Sequence, residues 1–199
     1  MALLRRDRGD GAGRVDWLIA GLGNPGAQYE RTRHNVGFEV VALLAERWEL
    51  PRGKKRYAGL YTDGRTGPGG PRVGLLLPQT FMNDVGNSVG PARGAVGVDL
   101  DRIVVVHDEI DLPFGRIEGR LGGGLAGHNG LKSLKRGLGD AAFHRIRVGV
   151  GRPDTTDPEI VSAYVLGRFR ESKDEVRALV EAAAEETERL VGAASTRAS

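Results

Sequence analysis

This 199-residue chain has four histidines and no cysteine, which narrows the chemistry open to it. Disulfides, thiolate catalysis and Cys-ligated zinc are all excluded. His34 stands in the stretch "LIAGLGNPGAQYERTRHNVGF", downstream of Asn24. Asp108 stands in "VVVHDEIDLP", between His107 and Glu109, with Asp111 close behind. An imidazole beside a buried or half-buried carboxylate is a general-base pair. The carboxylate fixes the tautomer and stabilises the imidazolium as it forms. With no competent serine or cysteine, the nucleophile would be water. Asn24, Asn83 in "PQTFMND" and Asn129 in "GHNGLKS" add uncharged amide donors, suited to a carbonyl, a ribose hydroxyl or an oxyanion. Each residue also has a plain reading: His34 as a loop histidine, Asp108 as a turn or cap acid, the asparagines as turn residues. For Asn129, just ahead of a helix, capping is the stronger single explanation.

Three competing sites weigh against this one. Gly21, Gly23 and Gly26 spell G-x-G-x-x-G, but a dinucleotide turn opens its helix inside the glycines. Here the next helix start is near Asn35, and the acid at the expected distance, Glu46, falls inside a helical stripe. "GNSVG" surrounds Ser88 with G-x-S-x-G, and the order Ser88, Asp108 or Asp111, His128 or His144 is that of an α/β-hydrolase. A nucleophile elbow needs its serine at the end of a strand, whereas the nearest strand ends near Leu77. A serine esterase using Ser88 is the alternative reading. A metal held by His107, Asp111 and His128 lacks any compact ligand spacing, and no metal is expected.

The elements that must position these residues follow from apolar patterning. Runs at 17–20, 57–62, 73–77, 103–106 and 146–150 read as strands. The continuous "IVVV" suits a central strand covered on both faces. Val36, Val40, Leu43, Leu44 and Trp48 form one helical stripe. Ser172 and Glu175 make a capping box ahead of a long amphipathic C-terminal helix, and a shorter helix follows Asn129. "NDVGNSVGPARGAVG" is assigned helix from its place between two strands, although its glycines and Pro91 disfavour one. Alternating strands and helices predict a single-domain α/β three-layer sandwich, with a mostly parallel, twisted central sheet and helices on both faces. Sites in such sheets form beyond the carboxyl ends of the strands, so Asn24, His34 and Asp108 can converge despite their separation. The domain is placed at 16–192, between flexible tails at 1–15 and 193–199. The absence of a long apolar run and of a signal-peptide pattern points to a cytoplasmic protein.

Net charge is +3, unevenly spread. Residues 171–191 hold seven acids and three bases, and the remainder carries 26 bases against 19 acids. Clustered cations at Arg116/Arg120 and Arg145/Arg147/Arg152 suit a phosphate-bearing partner, though on charge alone a solvated surface is the favoured reading.

Taken together, "GLGNPGAQYERTRHNVGF", "PQTFMN", "HDEIDLPFG", "GGGLAGHNGLKS" and "FHRIRVGVGRP" resemble, in order and spacing, the signature blocks of the bacterial-type peptidyl-tRNA hydrolases, from about Trp17 to about Val191. The resemblance implies hydrolysis of the ester between a peptide's C-terminus and the terminal ribose of tRNA, recycling tRNA from stalled or abortive translation. It implies a monomer that needs no cofactor or metal and no membrane. By the same resemblance His34 is the base that activates water, Asp108 its orienting partner, and Asn24 a substrate contact beside them. Asn83 holds the substrate carbonyl, and Asn129 binds near the terminal adenosine. Tyr29 and Phe81 meet the 3′ end, while Arg120 and Arg147 clamp the 5′-phosphate. "LGGGLAGHNG" is expected to act as a flexible lid. A non-catalytic tRNA- or ribosome-binding module on the same fold is the reading from another class.

Overall fold

The computed structural model describes residues 14–195. Most of the two expected tails lies outside them. Of the N-terminal stretch, Val15 is buried against the core, and the last helix continues through Ser195.

Among the described residues, seven strands form one sheet: β1 Trp17–Gly21, β2 Lys54–Arg56, β3 Gly59–Arg65, β4 Arg72–Pro78, β5 Ile103–Glu109, β6 Ile117–Leu121 and β7 His144–Gly149, in the order β2-β3-β4-β1-β5-β7-β6. The four central strands are parallel, since β1 pairs with β4 and β5, and β5 with β7. Both edges are antiparallel, with β2 and β3 on one side and β6 on the other. The sheet is therefore mixed, and the parallel character lies at its centre. β2 and β6 are short, polar strands that apolar patterning misses, because their pairing comes from the neighbouring strand and not from burial of their own side chains.

Five helices, α1 Val36–Arg47, α2 Gly86–Val96, α3 Asn129–Leu138, α4 Pro158–Leu166 and α5 Lys173–Ser195, complete the layers. Leu18 and Ala20 of β1 and Val105 of β5 face one core with Val89 and Val96 of α2 and Leu134 of α3. Ile19, Val104 and Val106 face the other, with Val40 and Leu44 of α1 and Leu179 and Ala183 of α5. Strand side chains alternate between the two faces, so a central strand must be apolar throughout, as "IVVV" is. The capping box closes as read: the Ser172 amide donates to Glu175 Oε2 at 2.8 Å and the Glu175 amide to Ser172 Oγ at 3.2 Å.

The glycines that weakened two readings have packing roles. A Cβ on Gly21 would lie 2.3 Å from the Gly37 carbonyl oxygen, and one on Gly37 would lie 2.3 Å from that of Val106. These glycines let the first turn of α1 sit directly on the ends of β1 and β5. In the same way a Cβ on Gly86 would meet the Ser133 carbonyl at 2.3 Å, and one on Gly137 the Gly86 carbonyl at 2.7 Å. The glycines that lower the helix propensity of α2 allow it to approach α3 closely, and tertiary packing overrides propensity. Because the obstacle at Gly37 is backbone, Gly37→Ala is expected to cost about 3 kcal/mol, the upper end for overpacking. That corresponds to a drop in Tm of about 10 °C by thermal unfolding.

Candidate active site

β1, β4 and β5 run parallel, so the segments leaving their carboxyl ends share one edge of the sheet. The segments after β1 and β4 bring Asn24 and Asn83, and the end of β5 itself brings Asp108, to a single cleft of about 670 Å³. His34 arrives from a single 3-10 turn, Arg33–Asn35, that leads into α1. Asn35 does not cap α1 with its side chain, as a residue at that position usually does. Its Nδ2 donates to the Asn24 carbonyl and its Oδ1 accepts from the Asn24 amide, both at 2.9 Å. This two-bond pair ties the loop after β1 to the start of α1, and so sets Asn24 and His34 side by side.

Asp108, only 2% exposed, sits at the centre. His34 Nδ1 lies 2.9 and 3.0 Å from its two carboxylate oxygens. His128 Nε2 lies 3.1 Å from Oδ1 of the same carboxylate. The tautomer of His128 follows from its other nitrogen: Nδ1 accepts from the amides of Gly130 (3.1 Å) and Leu131 (3.4 Å), capping α3. With Nδ1 an acceptor, Nε2 carries the hydrogen and donates to Asp108. His128, and not Asn129, is thus the cap; Asn129 is the first residue of α3 and its side chain is exposed at the cleft.

The charges follow from this geometry. Burial alone would raise the Asp108 pKa, but the facing His34 and His128, with their hydrogen bonds, hold the carboxyl far below the usual carboxylate range. Burial lowers the His34 pKa, and the Asp108 charge and hydrogen bond more than offset it, leaving His34 above its ordinary value. Since Nδ1 is committed to Asp108, Nε2 is the ring nitrogen left to accept a proton. Burial, reinforced by the neighbouring His128, pushes His107 down to about 3 and keeps it neutral. Its Nδ1 donates to the Asp108 carbonyl at 2.7 Å.

The amides are oriented too. Asn24 Oδ1 accepts from the Met82 amide at 2.7 Å, which leaves the Asn24 NH₂ as the donor. Asn83 lies on the 3-10 turn Met82–Asp84, whose backbone is held by Arg136 Nη2 donating to the Asn83 main-chain carbonyl at 3.0 Å. Tyr29 and Phe81 pair edge-to-face with ring centroids 6.4 Å apart. Phe81, 57% exposed, lines the cleft; Tyr29 stands behind it.

The two predicted phosphate residues differ. Arg120 is exposed on the edge strand β6, beside Gly123. Arg147 is already engaged, bonded to Glu109 Oε2 at 3.0 Å and to Glu118. Neither lines the cleft. Arg145, grouped by sequence with the surface cations, is buried and donates to the carbonyls of Gly124 (2.6 Å) and Gly123 (3.0 Å). It anchors the glycine-rich loop.

Two competing sites lose their basis. Ser88 lies within α2 and not on a turn that leads out of a strand, fully buried and with no hydrogen-bond partner for its Oγ. The suggested metal set does not assemble either, because Asp111 pairs with Arg152 at 3.5 Å and His107 turns to backbone. The ligand-capable atoms that do cluster, within 4.8 Å of one another, belong to His34, Asp108 and His128. The hydrogen bonds above already engage them. His128 as a second donor to Asp108 escaped the sequence reading. Its signal is weak: a histidine directly before the first residue of a helix.

The chain is similar to known proteins over most of its length. A family model described as peptidyl-tRNA hydrolase matches residues 18–199. A peptidyl-tRNA hydrolase of Halalkalibacterium halodurans is 46% identical over 172 residues, covering 86% of this chain and 91% of the relative. One from Mycobacterium sp. strain KMS is 46% identical over 176 residues, covering 87% and 90%. A crystal structure of peptidyl-tRNA hydrolase from Acinetobacter baumannii superposes with a TM-score of 0.79 at 34% identity, covering 94% of each chain. A matching model over nearly the whole chain, close relatives of the same length and a shared fold lead to one conclusion: this chain belongs to the peptidyl-tRNA hydrolase family.

Proposed function

We propose that the protein hydrolyses the ester between the C-terminal carbonyl of a peptide and the 3′-terminal ribose of tRNA. The observation that carries this reading is the buried Asp108–His34 pair, which commits Nδ1 and leaves Nε2 basic at a cleft lined by amide donors. His34 Nε2 takes a proton from water, and the hydroxide oxygen adds to the ester carbonyl. The Asn24 and Asn83 amides stabilise the oxyanion, a contribution on the order of 10²–10³-fold per well-placed donor. As the carbonyl reforms, the ribose oxygen leaves with the proton from the imidazolium, giving a free peptide carboxyl and an intact tRNA end. Phe81, backed by Tyr29, offers a face on which the terminal base stacks, and Asn129 contacts the same end. The chain acts as a monomer in the cytoplasm, where translation supplies its substrate, and needs no metal. Among the described residues no helix is long and apolar enough to cross a membrane.

Single-turnover reaction of the protein with N-acetyl-aminoacyl-tRNA tests this. Release of the acyl group is expected, faster than from free aminoacyl-tRNA and unchanged by EDTA. Binding of the tRNA without release would make the protein a carrier and not an enzyme; loss of activity with EDTA would bring a cation into the site.

Among the described residues Arg120 has no ion-pair partner, whereas Arg147 already has its charge compensated by Glu109 and Glu118. Arg120→Ala is therefore expected to weaken tRNA binding and reduce the salt slope of log K by about one. Arg147→Ala should change the slope less. A larger effect at Arg147 would mean that the nucleic acid displaces its carboxylate partners.

A further inference from the structure

Arg33, the neighbour of His34 in sequence, faces away from the cleft and is almost fully buried. Its Nη1 donates to the carbonyls of Arg168 (2.8 Å) and Tyr164 (3.3 Å), with that of Gly167 at 3.5 Å. Its own amide donates to the Gly167 carbonyl at 3.0 Å, and Thr32 makes a strand-like bridge with Arg168. The guanidinium lies 4.1 Å from the Tyr164 ring centroid and 5.5 Å from that of Phe169, with Glu171 at 3.7 Å. All of these partners sit at the carboxyl end of α4 or just after it.

α4 needs such a tie. Val165 is its only buried residue, so burial alone holds it weakly. Yet Val161, Ser162, Val165 and Leu166 line the cleft. Carbonyls at and just past a helix end require partners, and Nη1 of one guanidinium serves three of them. The Tyr164 hydroxyl adds a second anchor by donating to the Val150 carbonyl at 2.7 Å. The side chain that fastens α4 is thus covalently next to the proposed base.

We propose that Arg33 is a positioning residue that sets the apolar wall presented by α4 at a fixed distance from His34, and so governs how the peptide part of the substrate is held. The proposal rests on the hydrolase reading for its function, but not for its geometry. A peptide of several residues extends along the α4 wall, whereas a single N-acetylated amino acid ends near His34. Arg33 makes no contact with Asp108, so it leaves the basicity of His34 alone.

Arg33→Lys keeps the cation over the rings, but its ammonium ends one bond short of Nη1 and loses the reach to those carbonyls. Hydrogen exchange in the intact protein is expected to show the α4 amides about tenfold less protected, with those of β5 unchanged. Unchanged α4 protection would overturn the clamp whether or not the protein hydrolyses anything. In turnover, KM for an N-acetyl-tripeptidyl-tRNA is expected to rise about tenfold while KM for N-acetyl-aminoacyl-tRNA stays within about twofold. The acid limb of the pH profile should not move. Equal KM changes for both substrates, or a shifted acid limb, would overturn the positioning role. Tyr164→Leu approaches the same joint from α4, leaves Arg33 in place and should reproduce both readouts. If the lysine variant does not fold, the tyrosine variant decides. Wild-type protein that releases nothing from either substrate would sink the hydrolase reading and leave the exchange result standing.

Discussion

Replacing His34 by alanine is expected to lower single-turnover release from N-acetyl-aminoacyl-tRNA by roughly 10²–10⁴-fold, the usual contribution of a positioned general base. This is about 3–5 kcal/mol of transition-state stabilisation at 1.36 kcal/mol per decade. The imidazole is well suited to that weight: Nδ1 is held at 2.9 and 3.0 Å by a buried carboxylate, so Nε2 needs little reorganisation to take a proton. Affinity for tRNA should survive, because nucleic-acid affinity comes largely from phosphate contacts and the proposed ones, Arg120 and Arg147, lie outside the cleft. Filter binding alongside the kinetics separates the two. Release at near wild-type rate would remove His34 from the mechanism; loss of binding equal to loss of rate would make it a substrate contact instead.

Asp108→Asn is expected to cost about 10²-fold, less than loss of the base itself, and to move the acid limb of kcat/KM to lower pH. The sign follows from the opposing effects on His34. The base works only when unprotonated, so kcat/KM rises with pH through its pKa. In the wild type that pKa is raised, because the Asp108 charge and hydrogen bond outweigh burial. An amide in place of the carboxylate removes the charge and leaves burial, which lowers it. The limb therefore shifts down while the plateau falls, since the amide nitrogen now faces a ring N–H where Oδ2 accepted one. His128 adds to the disturbance: its Nε2 donates to the same carboxylate while its Nδ1 caps α3. A limb that stays put or rises would show that Asp108 does not set the basicity of His34. A loss larger than that of His34→Ala would give the carboxylate a direct part in the reaction.

The central strands were legible because a strand buried on both faces can carry little else but apolar residues, and β5 reads Ile103-Val104-Val105-Val106. α1 and the capping box of α5 were legible for the same local reason: period and cap chemistry act over a few residues. β2 and β6 were not, since a polar edge strand is specified by the backbone of its neighbour. The helix at α2 was visible only from its place between strands. Its glycines are explained by Ser133 and Gly137 of α3, which no local window contains.

By itself the sequence determined the α/β layering and the parallel centre that puts Asn24, Asn83 and Asp108 on one edge, and it made the pairing of His34 with Asp108 an expectation. These depend on residue type, order and the direction of strands. The tertiary structure alone decided that Asn35 spends its side chain on Asn24, that His128 is a cap and a carboxylate donor at once, and that Arg147 is compensated while Arg120 stands exposed. It also turned Arg145 and Arg33 inward. The reason is that a polar side chain takes whichever partner the fold brings within about 3 Å, and such partners come from residues far away along the chain.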